Sequence, residues 1–538
     1  MPEQAPRKVS TALLLPIVLV TTVTVLSLPI IVELLRSLAI TLNNQTDVSL
    51  SDLYIGSGRI ALLIRSLAIA GFIGLVGVCM GIPIGRLISS RVSRRGQLLV
   101  AILISPMWLP ATMVYAAGNL MRAPDTIVGR ALITYSTSSE DLRWLTIWAG
   151  YTIAVLGLAI WSAPIAGLLI GSGMGFRSNT YDEMIALEPV GIARRSALWV
   201  RLHLGVLGRA WVLVTVIMLG SAVPMHLSQL ETWSIGIWRQ LAERPIDQWG
   251  TVWLSAWPMV FVGICGAWVL TRTVVGKEKT NQCDDRGHAG QRVPRKVMIA
   301  ALCVWTLGAL VPLSAMLVTL DDFGSLIQFW RLESGAMRDS GTIALVTGLL
   351  TIVTAFLVAI TLGAPSVRIR RLGAAAVMML CVLGFIPGVL IGAAVARSSL
   401  PGITDGWTGA LLASCIRTAF LGAIIGAMCA SAESVERKSI RWQIAGGSFG
   451  GWARTVLPGI WMPILGAGLI GSIYSMYEIE ASVMVRPPGM DNLPQQLLSD
   501  LHYARLEQLS AAGVNLLIIG LACSIAASLL VTKVRPKD

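Results

Sequence analysis

Long apolar stretches separated by short polar ones dominate this chain. A helix needs about 20 mostly apolar residues to cross the hydrocarbon core of a bilayer, and twelve stretches of the sequence reach that length. The pattern therefore predicts an all-α polytopic membrane protein with about twelve transmembrane helices. The stretches lie near residues 11–34, 66–86, 97–121, 144–171, 205–227, 252–271, 297–320, 342–364, 373–395, 408–430, 460–482 and 513–532.

The distribution of basic residues predicts the orientation. Arg7 and Lys8 precede the first stretch, which is longer than the apolar region of a signal peptide and lacks a clear cleavage site, so we interpret it as a retained first helix. When the stretches are threaded alternately from an internal amino terminus, most of the 42 Lys and Arg fall in cytoplasmic segments. By the positive-inside rule, both termini are expected in the cytoplasm.

Composition narrows the class further. The chain is 55% hydrophobic and only 13% charged, which excludes an ordinary soluble enzyme or a disordered protein. Its net charge of +13 is what cytoplasmic Lys and Arg give a membrane protein, so no nucleic-acid partner is expected. The eight cysteines are scattered singly, with no CxxC pair, and predict no metal site. We expect no cofactor in this chain.

An internal repeat divides the sequence. Six apolar stretches in residues 1–272 precede a polar, charged linker at 273–296, and six more follow in 297–538. With an even number of spans each, the two halves would have the same orientation in the membrane. The loop after the fourth stretch recurs, because aligning Gly191 with Gly446 also aligns Leu202 with Leu457 and His203 with Pro458. The alternative interpretation is that these are only basic loops between helices.

These two loops resemble the EAA-xxx-G and I-x-L-P signature of permease subunits from binding-protein-dependent ABC importers. The first loop keeps an acidic start, whereas Ile440, Arg441 and Trp442 occupy the E-A-A position in the second. The resemblance implies a type I importer permease in which both loops dock on a separate cytoplasmic ATPase, expected to be a dimer. The implied coupling residues are Glu183, Ala186, Gly191, Arg194, Arg195, Leu202, Glu436, Arg441, Gly446, Leu457 and Pro458.

A second resemblance covers residues 478–513. An E-x-x-A-S turn at Glu478 to Ser482, P-P-G at 487–489, N-L-P at 492–494 and His502-Tyr503 resemble the fused, two-half permeases of the ferric-iron family, related to thiamine and polyamine carriers. Arg417 also stands where that family has an arginine. The resemblance implies import of a small solute, with ferric iron favoured, delivered by an external binding protein across a bacterial cytoplasmic (inner) membrane.

One buried charge requires a partner. Arg417 is the only charge well inside a predicted span, and an unpaired charge at that depth costs about 2.5 kcal/mol or more. It either lines a translocation path and meets an anionic solute or a gate carboxylate, or it ties helix ends to backbone carbonyls. Glu478, Glu480 and Ser482, near the predicted external end of the eleventh span, are further candidates for a path or gate.

Other functions are less consistent with the residues. Gly276-Lys277 is followed by Glu278 and not by Ser or Thr, so a phosphate-binding loop is absent and ATP hydrolysis is expected in a partner chain. The chain itself is not expected to be an enzyme. An ion-coupled secondary transporter would need intramembrane carboxylates, and the pattern places none well inside a span. A non-transporting membrane scaffold is the third hypothesis, without a feature that favours it.

Overall fold

In the part of the chain that the computed structural model describes, every regular element is a helix. The described residues are 11–42, 57–89, 94–120, 122, 126–138, 144–174, 185, 187–189, 191–227, 229–275, 295–398, 406–433, 435–445, 448–487, 489–490 and 492–534. The α-helices are α1 (Thr11–Leu42), α2 (Ser57–Ser89), α3 (Arg94–Ile104), α4 (Ala111–Leu120), α5 (Ile127–Ser138), α6 (Trp144–Met174), α7 (Ile192–Gly220), α8 (Val223–Leu227), α9 (Trp233–Glu243), α10 (Trp249–Ser255), α11 (Trp257–Val275), α12 (Arg295–Trp305), α13 (Val311–Val318), α14 (Gly324–Leu332), α15 (Ser334–Leu362), α16 (Val367–Phe385), α17 (Gly388–Arg397), α18 (Trp407–Ser431), α19 (Val435–Ala445), α20 (Phe449–Thr455), α21 (Leu457–Met476), α22 (Ser482–Val485), α23 (Leu493–His502) and α24 (Leu506–Val534).

The helices confirm an all-α polytopic membrane protein. Among the described residues, ten helices are long and apolar enough to cross a membrane, and the number is twelve if each of two bent pairs is one span. The bent pairs coincide with the spans predicted over 97–121 and 373–395, and each of these spans is broken in the structure. They turn by 80° near Pro110 and by 97° at Pro387, because proline has no N–H to continue the helical hydrogen bonds and clashes with the preceding turn.

The chain forms two compact units, each assembled from three separate segments of the sequence. The first unit contains residues 1–54, 241–282 and 341–490, and the second contains 55–240, 283–340 and 491–538. The linear division into 1–272, 273–296 and 297–538 stays a prediction, and most of its linker lies outside the described residues.

In the second unit, α2 and α6 pack through small residues. A Cβ atom added at Gly81 of α2 would lie 2.8 Å from the Ala163 carbonyl oxygen of α6, and one at Gly167 of α6 would lie 2.8 Å from Ile84 Cγ2. Glycine at these positions lets the two backbones approach closely, which is how helices associate in a membrane without a hydrophobic driving force.

This contact gives a stability prediction. We expect Gly81→Ala to destabilise the protein by about 1–3 kcal/mol, the usual cost of overpacking, because the new methyl group meets a backbone atom that cannot move alone. Gly208→Ala in α7 is the matched control, since a Cβ there meets nothing within 4 Å and alanine favours the helix. Thermal unfolding in detergent measures both variants. Equal melting temperatures for Gly81→Ala and Gly208→Ala would contradict the packing described.

A serine in the first part of α2 and a serine in the first part of α15 make equivalent hydrogen bonds. In the second unit, Ser66 Oγ accepts from the Trp233 backbone N–H at 2.9 Å, and Ser340 Oγ accepts from the Leu493 backbone N–H at 2.9 Å. In both cases the donor lies in the first turn of a short helix, α9 or α23, that follows a long span. Each serine thus satisfies one N–H that a helix start leaves without an intrahelical partner.

The glycines that follow these serines have matching spacing and matching neighbours. Gly74 lies eight positions after Ser66, and Gly348 lies eight positions after Ser340. A Cβ at Gly74 would meet Trp211 and Thr215 of α7, whereas one at Gly348 would meet Gly468 and Ser472 of α21. Each pair of neighbours is separated by four positions, which places both members of the pair on one helix face.

Candidate functional site

The candidate site lies in the first unit at the break between α16 and α17. Ile386 and Pro387 separate the two helices, and α17 begins at Gly388. A Cβ at Gly388 would lie 2.8 Å from Glu480 Cβ and 3.0 Å from Glu478 Oε1. Glycine is therefore what allows the start of α17 to reach the segment that follows α21.

Arg417 of α18 caps this break. Its Nη1 donates to the carbonyl oxygens of Gly384 at 2.7 Å and Ile386 at 2.9 Å. Its Nη2 lies 3.9 Å from Glu480 Oε2, and the guanidinium lies 6.0 Å from the centre of the Tyr474 ring. With the arginine side chain only 3% exposed, the guanidinium both satisfies carbonyls at a helix end and faces a carboxylate.

Glu478 organises the turn before α22. Its Oε1 accepts from the Ala481 N–H at 2.7 Å and its Oε2 from the Ser482 N–H at 3.0 Å. Ser482 Oγ in turn donates to the Glu478 carbonyl oxygen at 2.8 Å. The turn at Glu478 to Ser482 is thus closed by its own side chains, and α21 ends at Met476 instead of continuing to 482 as predicted.

The structure brings together all four residues predicted for a path or gate. We call Arg417, Tyr474, Glu478, Glu480 and Ser482 the Arg417 cluster. Its cation and one of its carboxylates are already engaged with backbone groups, so the cluster holds the end of a broken helix against its neighbours. A solute that interacts with Arg417 has to compete with these contacts. Among the described residues no three His, Cys, Asp or Glu side chains are close enough to hold a metal ion.

The other bent span has an uncharged equivalent of this cap. In the second unit, Trp161 of α6 donates through Nε1 to the Leu109 carbonyl oxygen at 2.9 Å, and Leu109 directly precedes Pro110 as Ile386 precedes Pro387. Both breaks are therefore capped from the next long helix. Only the break at Pro387 is capped by a charge.

The first predicted coupling loop is partly described. Gly191 is exposed, directly precedes α7 in an extended conformation, and has nothing within 4 Å of where a Cβ would lie. Arg194 and Arg195 are exposed, Leu202 is half-exposed, and Arg195 Nη2 donates to the Glu188 carbonyl oxygen at 2.9 Å. Glu183 and Ala186 lie outside the described residues. Their predicted role stays a prediction.

The second predicted coupling loop contains Arg441, which makes its contacts within the chain. Its guanidinium is buried, donating to both oxygens of Glu433 at 2.8 and 2.9 Å and to the Gly363 carbonyl oxygen at 3.3 Å. These contacts tie α19 to the residue that follows α15, and the predicted coupling role of Arg441 stays a prediction. Leu457 and Pro458 begin α21, with the proline in the first turn, where its missing N–H costs nothing. Gly446 and the Glu436 side chain lie outside the described residues.

The end of α23 carries a buried acid. Asp500 is buried near the carboxyl end of that helix, where an anion is unfavourable, and Arg505 Nη1 lies 3.7 Å away. Burial raises the pKa of Asp500 above its ordinary range, and the positive charge of Arg505 opposes the rise. His502 and Tyr503, from the second resemblance, are exposed beside it.

We expect Asp500→Asn to raise the melting temperature at neutral pH. Because the pKa of Asp500 is raised in the folded protein, the folded state binds the proton more tightly than the unfolded chain, and this stabilisation is lost as pH rises through the folded pKa. The substitution should therefore also reduce the loss of stability between acidic and neutral pH. Thermal unfolding at several pH values measures it. A lower melting temperature for the variant at neutral pH would contradict this account.

The sequence pattern misses a second buried ion pair. Glu33 and Arg397 are 1% and 6% exposed and lie in the first unit. The expectation that no carboxylate lies well inside a span is wrong for Glu33, because α1 continues to Leu42 and its candidate span covers 14–40. The predicted end of the apolar stretch at 34 depends on the assumption that Glu33 and Arg36 are solvated. A polar Ser37 one turn after Glu33 is the signal that could have suggested a buried polar face.

Comparisons with protein-family models, curated proteins and solved structures give no significant match for this chain.

Proposed function

We propose that the chain is the permease of a type I binding-protein-dependent ABC importer, with two six-span halves of parallel orientation. It would carry a small solute, ferric iron being favoured, from an external binding protein across a bacterial inner membrane with both termini in the cytoplasm. A separate dimeric cytoplasmic ATPase would supply the energy. The resemblance of the two loops and of residues 478–513 to such permeases is the basis of the proposal.

The observation that carries the two-half organisation is the matching register of α2 and α15. Ser66 and Ser340 each bind the start of a short helix, and Gly74 and Gly348 each follow by eight positions and pack on a helix that enters from a predicted coupling loop. Two unrelated helices have no reason to share both contacts at one spacing. A duplicated six-span unit explains them together.

The two breaks support the same organisation and suggest where a path would open. Each predicted half has its third span broken at a proline and capped from its fourth span, by Trp161 or by Arg417. Irregular backbone inside a membrane is tolerated where it is buried in protein or lines a cavity. We propose that the break capped by Arg417 is the gate of the second half.

The first experiment is to purify the tagged protein from its native membrane in mild detergent and to identify co-purifying proteins by mass spectrometry. The proposal expects an ABC ATPase in near-stoichiometric amount. Uptake of radioactive ferric iron by cells with and without the chain then tests the solute. If no ATPase co-purifies while other ABC complexes of that membrane stay intact, the proposal fails.

An ion-coupled secondary transporter stays the second candidate, and Glu33 is the observation that favours it. Intramembrane carboxylates commonly carry coupling ions or protons, and Glu33 lies within a candidate span. Its ion pair with Arg397 at 2.7 Å makes a carboxylate less available to a cation, so we rank this function second. Uptake into vesicles driven by an imposed proton or sodium gradient without ATP would favour it.

A further inference from the structure

Glu33 and Arg397 form a buried ion pair between α1 and the end of α17. Arg397 Nη1 donates to Glu33 Oε1 at 2.7 Å, and both side chains are almost completely buried. Three further hydrogen bonds surround the pair. Ser37 Oγ donates to Glu33 Oε1 at 3.1 Å, Arg36 Nη1 donates to the Arg397 carbonyl oxygen at 3.2 Å, and Arg397 Nη2 donates to the Asp247 carbonyl oxygen at 3.5 Å.

The start of α10 and the residues just before it close the cluster. A Cβ at Gly250 would lie 2.8 Å from Ser37 Oγ and 3.4 Å from Arg397 Nη1. A larger residue there would have to displace the Ser37 hydroxyl, which donates to Glu33. Residues from the first 272 positions of the chain, on α1 and at 247–250, therefore enclose the last residue of a helix from the second part of the sequence.

α17 is held by an arginine at each end. Arg417 binds the carbonyl oxygens of Gly384 and Ile386 just before the helix, and Arg397 binds Glu33 at its last residue. All residues between Gly388 and Val395 are buried. A Cβ at Gly392 would meet the Ala481 carbonyl oxygen and Met484, so the middle of α17 also packs without spare space against the segment of the Arg417 cluster.

Stability alone does not explain why Glu33 and Arg397 form an ion pair at this position. Replacing a buried ion pair by apolar residues of similar volume is often neutral or stabilising, whereas removing one partner is strongly destabilising. Unlike an apolar contact, the ion pair fixes the distance and the angle between the two side chains, because hydrogen bonds between charged groups are directional. A fixed geometry matters most at the end of an element that has to occupy a defined position.

We propose that Glu33 and Arg397 are positioning residues that set the location of α17, the broken helix next to the Arg417 cluster. Through them α1 and residues 247–250 fix the end of a helix whose start forms the proposed gate. The consequence for transport rests on the proposed function, whereas the positioning of α17 does not.

Hydrogen–deuterium exchange of residues 388–398 in detergent tests the positioning without an ATPase or a solute. Glu33→Leu and Arg397→Met are each expected to lower the melting temperature, because each strands a buried charge. The double variant Glu33→Leu/Arg397→Met should recover most of the melting temperature. Exchange in 388–398 should nevertheless stay faster than in the native protein by at least about tenfold, the factor expected for losing a charge-assisted hydrogen bond.

Glu433→Leu is the matched control. It breaks a different buried arginine pair of the same unit, at Arg441, and should leave exchange in 388–398 unchanged while it lowers the melting temperature. The proposed positioning of α17 would be overturned if residues 388–398 of the double variant exchanged as slowly as in the native protein. It would also be overturned if Glu433→Leu accelerated exchange in 388–398 as much as the double variant does. Uptake is scored separately. If the native protein shows no ATP-driven uptake, the proposed function fails while the exchange result still decides the role of the pair.

Discussion

If the proposed function holds, replacing Gly191 by tryptophan is expected to separate the protein from the proposed ATPase and to abolish ATP-driven uptake, while the chain itself stays folded. Gly191 is exposed, adopts an extended conformation that any residue tolerates, and has no neighbour within 4 Å of a Cβ position. The chain therefore has no internal reason to resist a large side chain there. A partner docked closely on this residue would meet an overpacked contact that costs about 1–3 kcal/mol or more.

The measurement is co-purification of the proposed ATPase together with the melting temperature of the protein. Each 1.4 kcal/mol is about tenfold in affinity, so we expect the amount of bound ATPase to fall by about tenfold or more. Gly58→Trp is the control, because Gly58 is equally exposed with nothing within 4 Å and lies at the predicted external end of α2. Retention of the ATPase by Gly191→Trp would mean that this loop does not dock it.

Much of the architecture follows from local patterns in the sequence. Apolar length and charge are local properties, and they predict both ends of α6 and α18 to within a few residues. For α2 and α15 they predict the end of the helix equally well, but the helix begins earlier than predicted. The sequence pattern does not predict the two breaks, although Pro110 and Pro387 lie within the predicted spans. A proline inside a transmembrane helix is often tolerated, as Pro83 and Pro164 are in α2 and α6, so its presence alone does not distinguish a kink from a break.

The candidate site was predictable only in part, because pairing between distant residues leaves no periodic signal. Arg417 was found since a charge in an apolar stretch is conspicuous, and the residues of 478–482 were found by resemblance. Glu33 and Arg397, 364 positions apart, each stand near the end of an apolar stretch, where a charge is normally solvated. Arg441 was identified only as a coupling residue, by resemblance, and not as a buried one. Its burial depends on Glu433 and on the Gly363 carbonyl, which the pattern of the loop does not reveal.

Replacing Arg417 by methionine is expected to cause the largest loss of stability of any single change at the site. Methionine preserves much of the volume but removes the donor to the carbonyl oxygens of Gly384 and Ile386 and the cation that lies 3.9 Å from Glu480. Breaking a buried charge pair in this way costs about 3–5 kcal/mol. Trp161→Phe removes the corresponding neutral donor from the Leu109 carbonyl, for which we expect only about 1–3 kcal/mol.

Comparing these two variants with Arg417→Lys separates a structural role from a role in transport. Lysine keeps the charge near Glu480 but, as a single ammonium on a flexible stem, cannot reproduce the geometry of the guanidinium fork. If Arg417 only holds the break, uptake by the lysine variant should follow its folded fraction, with an unchanged concentration for half-maximal uptake. If the guanidinium also meets the solute or moves with the gate, that concentration or the maximal rate per folded molecule changes. A methionine variant as stable as the native protein would show that the cap contributes nothing, because a buried carbonyl pair and a buried carboxylate cannot lose a shared cation without cost unless water replaces it.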